Sequence, residues 1–443
     1  MFFDKGKAVD LTWVDEFIEN VRPYIFVRLE DNLLIKRPNN AVKLNSTGAL
    51  ILKSLLEGMM LNDLLDRTGR DPEKIADVEN FMVAVKHQLE GCLDEFTENP
   101  AVDVIPFDMR FSEYPVLSEV ALTYRCNLKC TFCYAGCGCT ANPVGSDKEM
   151  TVDQACQVLW KIFHQAKVPS VSFTGGEPTL VPELPDLVRY AKELGMRVNL
   201  ITNGTQITRK SARALAGSGL DSAQVSIEGV TAQTHDRTVG MAGAFGKSLK
   251  AVGYLKDAGI LTHSNTTLTS ENFSESLQIP EFVSQNLEND RFSMNLLIPT
   301  GSGAVNKLTV PYSRVGKQIE KVIQLSREQG VEFMWYSPVP MCMFNSLLHG
   351  LGNKGCSACD GLLSVGANGD VLPCASCDDS IGNLLTHDFK YIWQSDKAKN
   401  YREKRFAHAR CRECDHFYIC HGACPLYWRQ EGYSELISNF FDN

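Results

Sequence analysis

No stretch of about 20 apolar residues, the length a bilayer-spanning helix requires, occurs in the 443 residues of this chain. The richest run, Leu50 to Leu65, is broken by Lys53, Glu57 and Asp63, which excludes a helical membrane span. Positive charge is also scarce: 44 Lys and Arg face 53 Asp and Glu, leaving a net charge of -9 with no basic arm. Nucleic-acid binding through phosphate neutralisation therefore has no support. Repeats of roughly 20 to 50 residues and compositional bias are missing too. With 44% hydrophobic and 22% charged residues, 33 Gly and 18 Pro, the composition is that of an ordinary globular protein, and disordered or collagen-like readings fall away. Met1-Phe2-Phe3-Asp4-Lys5-Gly6 sets an acid where a secretory signal needs an apolar core, so a cytoplasmic location is expected.

Cysteine is what the chain has in excess, with 16 in a protein too large to need disulfide staples. In a reducing compartment that count points to metal. Cys126, Cys130, Cys133, Cys137 and Cys139 bunch together, and nine more run from Cys342 to Cys424. Cys92 and Cys156 stand apart and read as small buried hydrophobes.

The pattern of apolar residues divides the chain into domains at 1–100, 115–330 and 331–443. In the first, Val27, Leu29, Leu33, Ile35, Val42 and Leu44 alternate in short runs, as small strands do. Three helical stretches follow, capped by Asn45 or Ser46 and by Asp71-Pro72. Small strands before three helices predict a winged-helix-like domain. The middle domain alternates strand and helix six times, with strands at 116–124, 170–173, 197–202, 222–227, 261–268 and 292–298. This α/β order predicts a partial (β/α)6 barrel, whose ligands collect beyond the carboxyl ends of the strands. The C-terminal domain is Cys-rich, punctuated by Gly and poor in periodic helices, as a domain organised around metal would be.

Directly after the first barrel strand comes Cys126-x3-Cys130-x2-Cys133-Tyr134. Three thiolates hold three irons of a 4Fe-4S cube and leave the fourth open, whereas electron carriers close all four. A structural zinc site with Cys137 or Cys139 as fourth ligand is compatible with the same spacing. At the end of the second strand stands Gly175-Gly176-Glu177-Pro178, where glycines admit a ligand close to the backbone and a carboxylate can accept from an amino group.

As a pair these motifs resemble the radical S-adenosylmethionine (SAM) superfamily. The resemblance implies that Cys126, Cys130 and Cys133 hold a catalytic 4Fe-4S cluster whose open iron chelates SAM. It places Gly175, Gly176, Glu177 and Pro178 at the SAM amino group and Tyr134 against the adenine. Asn203, Ser226 and Glu228, at the ends of the third and fourth strands, would make further SAM contacts, although the family more often has Asp where Glu228 stands. Polar strand-end residues also cap following helices, and that reading stays open for Asn203 and Ser226. The implied chemistry is reduction of the sulfonium to methionine and a 5'-deoxyadenosyl radical, which takes a hydrogen atom from the substrate.

Cys359-x9-Gly369-x4-Cys374, with a hairpin turn at Asn368-Gly369-Asp370, and Cys411-x2-Cys414-x5-Cys420-x3-Cys424 resemble the SPASM extension of radical SAM enzymes. That extension carries auxiliary 4Fe-4S clusters. By the resemblance Cys359, Cys374 and Cys424 hold the first, with Cys342 or Cys356 as fourth ligand, and Cys411, Cys414 and Cys420 hold the second. The family's final cysteine has no counterpart after Pro425. Cys377, the unused member of Cys342 and Cys356, or one of Asp415, His416 and His421 remain as its replacement, beside a zinc-ribbon alternative for Cys356, Cys359, Cys374 and Cys377. Asp378 and Asp379 are candidate bases for a substrate proton.

The order of the front domain, and Val42-Lys43-Leu44-Asn45-Ser46-Thr47-Gly48-Ala49 within it, resemble the peptide-recognition element of pyrroloquinoline quinone biosynthesis, which takes a leader peptide as an added strand. The leading expectation is a maturase of a ribosomally made precursor peptide or client protein, served by a reductant such as ferredoxin or flavodoxin. It would form a carbon-carbon or thioether link or oxidise a residue. The alternatives are a radical SAM enzyme for a tetrapyrrole or another enzyme's metal cofactor, and a non-enzymatic electron-transfer or zinc protein.

Overall fold

A computed structural model describes residues 10–38, 40–67, 69–90, 112–137 and 149–441. The chain divides into two compact units, Met1–Val116 and Leu117–Asn443. Among the described residues no helix is long and apolar enough to cross a membrane.

In the first unit a helix at Val14–Val21 precedes three strands, β1 (Ile25–Arg28), β2 (Leu33–Lys36) and β3 (Asn40–Lys43). They form an antiparallel meander in the order β1-β2-β3, in which Phe26 faces Ile35 and Leu34 faces Val42. Helices Ser46–Leu56, Leu61–Arg67 and Pro72–Glu90 follow. Asn45 caps the first of them, its Oδ1 accepting the Gly48 N–H at 2.7 Å. Val14, Ile18, Leu52, Phe81, Met82 and Val85 fill the core. The leading helix was not anticipated. The unit also runs past residue 100, because buried Arg28 holds Asp31 at 2.8 Å and the Pro115 carbonyl at 2.8 Å, fastening the 112–115 segment to the β1–β2 turn.

The second unit is built on one ten-stranded sheet. Its strands are β4 (Leu117–Thr123), β5 (Ser170–Gly175), β6 (Arg197–Thr202), β7 (Ser222–Ser226), β8 (Leu261–Leu268), β9 (Arg291–Leu296), β10 (Glu332–Trp335), β11 (Leu362–Val365), β12 (Asp370–Leu372) and β13 (Gly382–Asn383), in the order β10-β9-β8-β7-β6-β5-β4-β11-β12-β13. The six expected barrel strands β4 to β9 are parallel neighbours. Apolar residues of these strands, among them Val120, Phe173, Leu200, Val225 and Met294, are fully buried. Crossover helices such as Val152–His164 bury one apolar face each; Thr151 and Gln154 form a capping box at its start.

Two features depart from the six-strand expectation. β10 adds a parallel strand beyond β9, and the Cys-rich segment enters the same sheet through β11, which pairs in parallel with β4, Val365 opposite Val120. β11 and β12 are the expected hairpin, turning at Gly369 with φ +84. At four residues or fewer, β10 to β12 carry too little alternation to be recognised in sequence.

Candidate functional site

The cysteine loop leaves the carboxyl end of β4 and is gripped from three directions. From β5, the Gly176 N–H donates to the Thr123 carbonyl at 2.7 Å and the Glu177 N–H to the Arg125 carbonyl at 2.9 Å. A Cβ on Gly175 would overlap the Thr123 carbonyl and one on Gly176 the Arg125 carbonyl. Both glycines are therefore required by the neighbouring backbone, a reason the sequence did not reveal. From the helix Ala232–Val239, the Thr238 and Val239 carbonyls accept the Thr131 and Lys129 N–H groups at 2.9 and 3.0 Å. From the short helix Gly301–Asn306 after β9, the Ser302 N–H donates to the Cys133 carbonyl at 2.9 Å and Asn306 Nδ2 to the Thr131 carbonyl at 2.7 Å. Gly301, at φ +51, lies against the Cys133 and Tyr134 carbonyls, where a Cβ would collide with both. No motif in the sequence singled out 301–306.

Glu177 is fully buried. Its Oε1 accepts from the Thr179 N–H, the Thr179 hydroxyl and the Thr202 hydroxyl at 3.0, 2.6 and 2.7 Å, and its Oε2 from the Asn203 N–H at 2.8 Å. With about four lone-pair sites on a carboxylate, little more than one position on Oε2 stays open to an amino group. Burial raises its pKa, and these donors pull it back down. Pro178 opens the short turn that Glu177 caps. Asn203 reaches back to the loop, its Nδ2 lying 3.1 Å from Asn127 Oδ1 and 4.0 Å from Cys126 Sγ. Cys126 Sγ also receives the Leu128 N–H at 3.4 Å. Tyr134 directs its hydroxyl toward the Gly175 carbonyl at 3.5 Å. Ser226 is half-buried at the end of β7. Glu228 is buried and accepts the Thr267 N–H at 2.8 Å, and burial without a cation pushes its pKa up to about 8.

Donor chemistry at the loop suits an iron-sulfur cube. Burial pushes the Cys126 thiol up to about 11, so a bare thiolate there is disfavoured until a cation compensates it. N–H groups already point at its sulfur, the kind of contact that sets a cluster's potential. The buried Cys137 thiol donates to Cys133 and holds it below the ordinary thiol range. Cys139 and Cys92 lie outside the described residues. Cys156, expected to be buried, is only half-buried on its helix.

The C-terminal thiols fall into two groups. Cys374 is pushed up by burial and then by Cys424, Cys356 and Cys377, while Cys359 is pushed up to about 12 by burial, with Cys356 and Cys377 adding. The Cys359 N–H donates to the Pro373 carbonyl at 3.2 Å, so the β11–β12 hairpin brings Cys359 and Cys374 to one end. Cys411 is pushed up to about 11 by burial, then by Cys420, Cys342 and Cys414. Among the described residues no three Cys, His, Asp or Glu side chains converge closely enough for a single metal ion. A cube does not ask for that, since each thiolate holds a different iron.

Residues 120–283 match the family model of the radical SAM superfamily, and residues 356–415 match SPASM, an iron-sulfur cluster-binding domain. The chain is a radical SAM enzyme with a SPASM domain. Its cofactors are S-adenosylmethionine and 4Fe-4S clusters.

An AdoMet-dependent heme synthase of Methanosarcina barkeri is 28% identical over 70% of this chain and 90% of its own length. A PqqA peptide cyclase of Bradyrhizobium diazoefficiens is 26% identical over 70% of this chain and 81% of its own. Among solved structures, Streptococcus suis SuiB bound to precursor peptide SuiA superposes with a TM-score of 0.68 at 19% identity, covering 91% of this chain and 95% of that one. The last likeness is one of fold.

Between the radical SAM loop and the SPASM segment opens a cavity of about 370 Å³, lined by Tyr134, Gly136, Thr300, Asp378 and Arg429 among others. The buried Thr300 Oγ1 has no hydrogen-bond partner among the described residues. The two candidate bases part company here. Asp378 lines the cavity, whereas Asp379 pairs with Lys397 Nζ at 3.2 Å on an exposed turn. Glu119 of β4, unforeseen in the sequence, joins the SPASM segment to the barrel by accepting from the Ser364 hydroxyl and from the Ala375 N–H.

Proposed function

We propose that this enzyme modifies a ribosomally made precursor peptide or client protein, using Cys126, Cys130 and Cys133 to hold the catalytic cluster. Held there, the cluster would supply the one-electron chemistry that makes SAM a source of hydrogen-abstracting power. Gly175 and Gly176 set the β5 backbone beside the loop, and Oε2 of Glu177 is left for the SAM amino group. Asn203 holds the loop through Asn127. Tyr134, Pro178, Ser226 and Glu228 bound the rest of the SAM site. The Asp378 and Arg429 side chains at the cavity offer opposite charges to a peptide's polar groups, with Asp378 as the candidate base.

The peptide reading rests on one observation. The three-stranded sheet of the front unit ends on β3, with Asn40 exposed and Ala41 to Lys43 half-buried, the form of edge that takes an added strand. The likeness to SuiB, whose structure holds a precursor peptide, extends over more of this chain than Leu117–Asn443 alone could supply. In support of a second reading, in which the substrate is a tetrapyrrole, stands the identity to heme synthases. The test is mass spectrometry of short candidate peptides and of an iron porphyrin incubated with the reduced full chain and SAM. A changed peptide mass supports the first reading; a changed porphyrin mass with every peptide untouched overturns it.

A further inference from the structure

The second SPASM thiol group has three closely spaced members in sequence, Cys411, Cys414 and Cys420, and a four-iron cluster closed by thiolates needs a fourth. The residues between β10 and β11 bring one to the same place. A single turn at Pro340, closed by the Met343 and Phe344 N–H groups donating to the Pro340 carbonyl at 2.8 and 2.9 Å, presents the Met341 N–H to Cys420 Sγ at 3.3 Å. The residue after Met341 is Cys342. The turn is seated on the helix Tyr312–Glu328 at Gly316, where a Cβ would meet the Met343 carbonyl at 3.0 Å and Phe344 at 3.3 Å.

Three of the rival ligands, Cys356, Cys377 and His421, are engaged elsewhere. Cys356 keeps company with Cys359, Cys374 and Cys424: its carbonyl accepts from the buried Lys404 Nζ at 2.6 Å, and Lys404 also holds Asp360, the neighbour of Cys359, at 3.3 Å. Cys377 Sγ lies 3.6 Å from the Tyr401 hydroxyl. His421 turns Nε2 to the Tyr418 carbonyl at 3.1 Å, while its Nδ1 faces Gly355.

We infer that Cys342, a thiol preceding the SPASM domain, is the fourth ligand of a second auxiliary 4Fe-4S cluster held by Cys411, Cys414 and Cys420. This assignment rests on the proposed two-cluster reading of the C-terminal thiols. It leaves Cys356, Cys359, Cys374 and Cys424 to close the first cluster. Both auxiliary clusters then have four thiolates, which suits electron transfer rather than direct substrate ligation.

The test is iron and sulfide analysis with Mössbauer spectroscopy on anaerobically prepared full-length chain and three variants, Cys342→Ala, Cys414→Ala and Cys374→Ala. Unaltered protein is expected to carry about twelve irons in three four-iron clusters. Cys342→Ala should remove or convert the same spectral component as Cys414→Ala and keep the one that Cys374→Ala removes. Because Cys342 is exposed, its replacement opens no core void, and Cys342→Ser, with an oxygen ligand, should keep the iron while shifting that component. Full retention of every component in Cys342→Ala, or loss of the component that Cys374→Ala loses, overturns the assignment while the two-cluster reading survives. Unaltered protein with a single auxiliary component overturns the two-cluster reading itself.

Discussion

Half-buried Glu119, in the first barrel strand, accepts the backbone N–H of Ala375 at 3.2 Å, one residue past Cys374. A strand that ends at the catalytic loop thus also fixes a SPASM thiol. Removing the acceptor leaves the Ala375 N–H and the Ser364 hydroxyl unmet, at a cost of about 1–3 kcal/mol for each buried group. Glu119→Ala should lower the denaturant midpoint and reduce auxiliary iron, while Glu119→Gln, which keeps a carbonyl oxygen, should lose less of both. Equal iron in all three proteins would show that the contact does not position the SPASM thiols.

Gly301 and Gly243 form a matched pair for the cysteine loop. Both have positive φ, +51 and +76, but a Cβ on Gly243 meets nothing within 4 Å, whereas one on Gly301 strikes the carbonyls of Cys133 and Tyr134. Gly243→Ala should cost only the left-handed penalty of about 1–2 kcal/mol. Gly301→Ala should in addition displace the loop and lower the catalytic cluster's iron and the deoxyadenosine yield by tenfold or more. Cluster iron and SAM cleavage measured on the two variants separate loop displacement from general strain.

Replacing Cys126, Cys130 or Cys133 with Ala should abolish deoxyadenosine formation while auxiliary iron is retained. The readout is chromatography of SAM cleavage products after reduction, paired with an iron assay. Unaltered formation would remove the loop from the catalytic centre.

Glu228 gives a pH dependence of known sign. Its folded-state pKa is raised to about 8 by burial, against about 4.3 in an unfolded chain. Its contribution to stability is fully present below about pH 4 and is lost as the pH climbs through about 8, a change on the order of 3 kcal/mol by neutrality. Glu228→Gln, neutral throughout, should flatten that part of the profile and be the more stable protein at pH 7. His235, whose Nδ1 accepts the Glu228 N–H at 3.0 Å and whose pKa is lowered by burial to about 4, works in the other direction. Its contribution is present above about pH 6.5 and lost as the pH falls through about 4. Denaturant unfolding of both proteins from about pH 5 to pH 8 checks the difference.

Arg429 and Asp378 line the cavity beside Tyr134. With the proposed substrate in this cavity, Arg429→Ala and Asp378→Asn should lower product formation several-fold more than they lower deoxyadenosine release. The ratio of modified product to deoxyadenosine measures the uncoupling.

Local sequence determined what depends on neighbours along the chain. The thiol spacing of Cys126, Cys130 and Cys133, the glycine and proline punctuation around Glu177, and the alternation of six strands and their helices all follow from short-range periodicity and turn chemistry. The boundaries of β6 and β8 coincide with the expected ranges at Arg197–Thr202 and Leu261–Leu268. Tertiary structure decided what depends on residues far apart. Gly175 and Gly176 are glycines because the β4 carbonyls press on them, and Glu177 spends its oxygens on Thr179, Thr202 and Asn203. The short helix Gly301–Asn306 reaches the cysteine loop from more than 160 residues away. The short strand β11 enters the sheet only because β4 offers it an unpaired edge. Cys342, separated from Cys411 by most of the SPASM domain, is brought toward Cys420 by its neighbour Met341, whose N–H donates to the Cys420 sulfur at 3.3 Å. Spacing along a chain records loops and helices, but which thiols share a cluster is settled by where the folded backbone sets them down.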